Sequence, residues 1–131
     1  MSHLAWRTQI AALWVVQVIN LVSIIFISYF ETGLIADVAP ETSGVLISTY
    51  FFIFALLIWL AFALEPRIGR WVHVVFGGLT VLLKASYLVQ TIMGAYSIAF
   101  LVNEAWGAVA AGILIWVAWR LSETEPGPHS L

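Results

Sequence analysis

At 131 residues the chain has room for one domain and no more. Apolar residues make up 63% and charged residues 9%, against roughly 45–50% and 25% in a soluble globular domain, so too few charges exist to cover a water-exposed surface and lipid must stand in for water. The net charge of −2 supplies no basic field for nucleic acid, and the absence of cysteine excludes a disulfide framework, a thiolate metal site and a redox pair.

A spanning helix needs about 20 mainly apolar residues. Four runs meet that length, at 8–30, 43–64, 71–92 and 96–120. Lipid offers backbone groups no partner, so each run is expected to be helical. The first run is longer than the ~7–15-residue core of a secretory leader. It also contains Gln17 and Asn20, which argues for a first span.

A stretch with Gly33, Asp37 and Pro40 separates the first and second runs, and Glu41-Thr42-Ser43 is expected to cap the second helix. Glu65-Pro66-Arg67-Ile68-Gly69-Arg70 reads as a short charged turn before the third run. Met93-Gly94-Ala95 is expected to join the third and fourth. The end, 122–131, carries Pro126, Gly127 and Pro128 and reads as a disordered cytoplasmic tail. The polar ends are short, so no soluble catalytic domain is expected at either. The expected fold is all-α: one domain over 1–121, an antiparallel bundle of four transmembrane helices.

The basic residues set an orientation. Arg7, Arg67, Arg70 and Arg120 fall on one side when four spans alternate, whereas the opposite loops carry only Glu31, Asp37 and Glu41. The excess of basic residues on cytoplasmic loops then puts both termini inside. Trp6, Trp71, Trp116 and Trp119 lie at the same ends, where amphipathic rings favour the headgroup layer.

Polar residues inside the spans are the informative ones. With about 100° per residue, His73, Gly77, Thr80, Lys84, Tyr87 and Thr91 form one stripe on the third helix. Ser97, Glu104, Gly107, Ala108 and Ala111 share a face of the fourth, and Gln17, Asn20, Ser28 and Glu31 a face of the first. Lys84 and Glu104 both sit about 12 Å below the outer helix ends by the helical rise. A lone charge at mid-membrane costs at least ~2.5–3.5 kcal/mol, so the two are expected to pair, with Asn20 close enough to join them. Small residues at Gly107-x-x-x-Ala111 and Ala108-x-x-x-Gly112 allow close helix approach and place the pair inside the bundle. Asn103, about 100° round from Glu104, is expected to face the second helix or a partner subunit.

The residues Lys84, Glu104, Asn20, Gln17, Tyr87, Thr80 and His73 are therefore the candidates for a substrate or ion pathway. An equally good reading makes the charged pair a device that fixes helix register. Gln17 and Asn20 read as interhelical hydrogen-bond partners, His73 as a polar interface residue, and the Gly77-Gly78 pair as a close-packing point. A single histidine near a span cannot supply facing haem ligands. No metal-ligand spacing, activated nucleophile or phosphate loop is present, so no cofactor is expected and an enzyme is disfavoured.

Three local features carry a resemblance: Leu13-Trp14 followed by Asn20, Gly69-Arg70-Trp71 opening the third span, and Glu104 followed by Ile115-Trp116-Val117-Ala118-Trp119-Arg120 closing the fourth. Together they resemble a family of small bacterial four-span membrane proteins of unknown function, and more distantly the DoxX-like proteins in size and topology. The resemblance implies four spans and a bacterial inner membrane, and no catalytic residue. Three roles stay open: a structural or accessory subunit, homo-oligomeric or part of a larger complex; a small proton-coupled transporter or channel using Glu104 and Lys84; and a membrane enzyme acting on a lipid or quinone. The one partner common to all is membrane lipid.

Overall fold

The computed structural model describes the backbone of residues 3–30, 40–94 and 98–124, and the side chains of 4–27, 44–90, 92–94 and 98–120. Four helices make up almost all of this: α1 (His3–Phe30), α2 (Pro40–Ala63), α3 (Pro66–Met93) and α4 (Ile98–Thr124). Each holds a stretch long and apolar enough to cross a membrane: Leu4–Ile27, Gly44–Ala63, Pro66–Gln90 and Ile98–Arg120. The described residues contain no strand.

Three helices start earlier than the apolar runs suggest, α1 at His3, α2 at Pro40 and α3 at Pro66, and for α2 and α3 proline is the reason. Pro40 opens α2 and Pro66 opens α3. The first helical position has an orphan N–H in any case, and proline's fixed φ already suits the helix. The expected charged turn at 65–70 is therefore mostly the first turn of α3, and only Leu64 and Glu65 break the chain between α2 and α3. Glu65 stands at the cap position without a side-chain hydrogen bond. The far end of α3 closes at Gly94, whose N–H donates to the Gln90 carbonyl at 2.8 Å. α4 continues through Thr124, and 125–131 lie outside the described residues. So do the side chains of Ser28, Glu31, Thr91 and Ser97, which the helical faces had included, and those of the expected cap at Glu41, Thr42 and Ser43.

The helices pack as a chain of neighbours. α4 lies along both α1 and α3, α2 rests on α1, and α2 touches α3 only lightly. The pairings are regular. Residue 6 of α1 meets residue 117 of α4, and residue 20 meets residue 103. Residue 71 of α3 meets residue 119 of α4, and residue 84 meets residue 104.

The interior divides into two zones. Towards the arginine-bearing ends, Trp6, Ile10, Trp14, Phe54, Leu57 and Leu114 form an apolar, aromatic core. Trp14 stacks on Phe54 with ring centroids 5.8 Å apart. Beyond it, Gln17, Asn20, Lys84, Asn103 and Glu104 are buried together. The outer faces expose large apolar side chains such as Phe26, Phe52, Leu82 and Val109, as lipid contact requires.

Glycine governs how closely α4 approaches its neighbours. A Cβ on Gly77 would stand 2.8 Å from Ile115 Cγ1, and one on Gly107 would stand 2.8 Å from both amide atoms of Asn20. Gly78 and Gly112 would meet nothing within 4 Å. The close-packing point on α3 is therefore Gly77 alone. Of the two small-residue motifs on α4, Gly107 and Ala111 are buried, whereas Ala108 is partly exposed and Gly112 is exposed.

Candidate functional site

Three helices build the polar zone. α1 contributes Gln17 and Asn20, one turn apart on its inner face; α3 contributes Lys84; α4 contributes Asn103, Glu104 and the bare backbone at Gly107. At its centre the Lys84 ammonium donates to Asn20 Oδ1 and forms an ion pair with Glu104 Oε1 at 3.6 Å. Both side chains are almost wholly removed from solvent, at 8% and 0% exposure. Pairing at this depth offsets part of the cost of putting either charge in the membrane interior.

Asn20 holds the cluster together. Its Nδ2 donates to the Asn103 carbonyl at 2.7 Å, and Asn103 Nδ2 returns a bond to the Asn20 carbonyl at 3.3 Å. One turn along α1, Gln17 Nε2 donates to the Gly107 carbonyl at 3.0 Å. The amide of Asn20 can lie flat against α4 because residue 107 has no side chain. One asparagine thus reads α4 with its nitrogen and α3 with its oxygen, fixing both helices against α1.

Three buried acceptors have no hydrogen-bond partner among the described residues: Gln17 Oε1 and both carboxylate oxygens of Glu104. The 3.6 Å ion pair is an electrostatic contact beyond hydrogen-bond reach.

The other candidates sit apart from this centre. Thr80 is buried, but its hydroxyl donates to the Phe76 carbonyl of its own helix at 2.8 Å. Tyr87 is exposed on the outer part of α3 and interacts with Tyr50 of α2. His73 is fully buried in the aromatic zone, where Trp14 Nε1–H donates to its Nδ1 at 3.0 Å. That bond requires a bare Nδ1, so a neutral ring carries its proton on Nε2. His73 Nε2 has no partner among the described residues.

Two expectations need correction. Asn103 faces α1, because the amide pair with Asn20 turns it there, and not α2 or a partner subunit. Trp6 does not present its ring to the outer surface of the bundle. It is buried, and its indole N–H donates to the Val117 carbonyl at 2.9 Å across to α4. Trp71, Trp116 and Trp119 remain exposed. Reading from sequence also missed the Trp14–His73 bond. Their separation along the chain leaves no local signal for it.

Among the described residues, no group of three or more His, Cys, Asp or Glu side chains could hold a metal. No family model matches the chain, and no curated protein or solved structure does so. The class defined by fold and site is a small multi-pass membrane protein with four apolar helices and a buried Lys84–Glu104 salt bridge.

Proposed function

We propose that the protein is an antiparallel four-span bundle of a bacterial inner membrane, with both termini cytoplasmic, serving as a structural or accessory unit. It works as a homo-oligomer or as a subunit of a larger membrane complex. The observation that carries this reading is where the polar groups of the interior are spent. Gln17, Asn20, Asn103 and Lys84 each direct a donor to another helix, so the polar cluster acts first as an alignment device. The positions of Arg7, Arg67, Arg70 and Arg120 at one end of the bundle support the orientation.

A second reading, a small proton-coupled transporter or channel, is favoured by one feature: the Glu104 carboxylate is fully buried with neither oxygen hydrogen-bonded among the described residues. Such a group has capacity left for a transported ion.

One set of variants separates the two. Replacing Lys84 and Glu104 together by Met and Leu keeps detergent melting near that of the parent, because buried ion pairs often break even against apolar side chains. Glu104→Leu alone strands the ammonium and costs about 3–5 kcal/mol. In liposomes, the accessory reading expects no proton flux above the lipid background. Flux in the parent protein that disappears in Glu104→Gln would transfer the assignment to the transporter. Equal losses of stability in both single variants and the double variant would show that the two charges are uncoupled.

A further inference from the structure

Neither the polar cluster nor the apolar packing accounts for a titratable side chain in the aromatic zone. His73 of α3 is fully buried there, between two indoles of α1. Its ring centroid lies 6.3 Å from that of Trp6 and 6.2 Å from that of Trp14. Trp14 Nε1–H donates to His73 Nδ1 at 3.0 Å, and this bond ties α3 to α1. An indole N–H can only donate, so the bond exists only while Nδ1 carries no proton.

The surrounding elements supply no counter-charge for an imidazolium. On α1, Arg7 is turned to the carbonyls of Ala61 and Phe62. The described part of α2, Gly44–Ala63, holds no charged side chain; Phe54 stacks on Trp14, and Tyr50 stacks on the far side of Phe54. On α4, Glu104 is paired with Lys84 deeper in the bundle, and Arg120 lies over the Trp116 ring. On α3 itself, Glu65 and Arg67 stand at the start of the helix, Arg70 lies against the Trp71 and Trp119 rings, and Tyr87 is on the outer part. His73 Nε2 has no partner among the described residues, so an imidazolium would bury two N–H donors with no acceptor for either. Turning the ring over does not help, because both nitrogens then donate.

We propose that the Trp14–His73 contact is an acid-released latch between α1 and α3. A proton arriving at Nδ1 sets N–H against N–H and parts the two helices at their arginine-bearing ends. His73 lies about 10 Å along α3 from Pro66 by the helical rise, within reach of protons entering from that end. Lys84 still holds α3 to α1 through Asn20 Oδ1, so the release is confined to one end of the bundle. Histidine is suited to this use because its charge changes between about pH 5 and 8. The latch is independent of whether the bundle serves as an accessory unit or a transporter.

The test is indole N–H exchange by nitrogen-15 NMR on the full chain in nanodiscs, at about pH 7.5 and about pH 5. The Trp14 signal is the one that vanishes in Trp14→Phe. Trp6, whose buried indole donates to the Val117 carbonyl, serves as the reference within the same sample. In the parent, acidification speeds Trp14 exchange relative to Trp6 by about tenfold or more, the factor that goes with losing one buried hydrogen bond. In His73→Gln the side-chain carbonyl accepts from Trp14 at either pH, and the ratio stays put. In His73→Phe the indole N–H has no acceptor, so the ratio is already raised at neutral pH and acid adds nothing. A parent ratio that does not change with pH overturns the proposal and needs no variant to do so. An acid response that survives in both variants overturns it as well, because another group would then be opening the core.

Discussion

Asn20 and Gly107 make a close approach between α1 and α4, and their partnership has a measurable consequence. A Cβ at residue 107 would press within 2.8 Å of Asn20 Nδ2 and Oδ1 and 2.9 Å of Cγ. Those are the atoms that bond Asn103 and Lys84, so Asn20 cannot turn aside without breaking both contacts. Gly107→Ala is expected to destabilise the bundle by about 1–3 kcal/mol, the usual range for overpacking. Gly112→Ala is the matched control. Its Cβ meets nothing within 4 Å, and alanine is the better helix former. Detergent melting of the two variants checks this. Individual interhelical hydrogen bonds in membranes average only about 0.6 kcal/mol, so a large loss at 107 reports the shared role of Asn20.

At the scale of the element, α2 is the least anchored helix. It lies on α1 and barely meets α3. Its aromatic residues supply packing through Phe54 and leave Phe52, Trp59 and Phe62 exposed. One polar tie holds its end: Arg7 of α1 donates through Nη1 to the carbonyls of Ala61, at 3.3 Å, and of Phe62. These belong to the last turn of α2, where carbonyls lack helical partners and a cation complements the helix dipole. Arg7→Gln should loosen that turn by about 0.3–1 kcal/mol. Hydrogen exchange over residues 58–63 is expected to quicken while the amides of α4 keep their protection. An equal rise in both would mean that Arg7 supports the whole bundle.

For the whole molecule, the decisive property is the number and direction of crossings. The chain contains no cysteine, so single cysteines can be introduced on a silent background. With four spans and both ends cytoplasmic, a membrane-impermeant maleimide applied from outside labels Asp37→Cys and leaves Ser2→Cys and Ser130→Cys untouched until the membrane is opened. Labelling of Ser2→Cys and Ser130→Cys from opposite sides would require an odd number of spans.

Length, composition and periodicity by themselves determined the four apolar helices and the meeting of Lys84 with Glu104. The reason is that a charge inside lipid has few tolerable positions, so two opposite charges at similar depth on neighbouring helices are driven together. Asn20 was within reach of the same reasoning, since a buried amide in lipid must find a partner. The tertiary structure decided the rest: Asn103 turned to α1, Trp6 buried against Val117, Trp14 bonded to His73, and the tryptophan contact that joins the ends of α3 and α4. Helices that are apolar on nearly every face carry no strong signal for their own rotation. Their facing is set by close packing around Gly77 and Gly107, a property of several helices together that no single segment encodes.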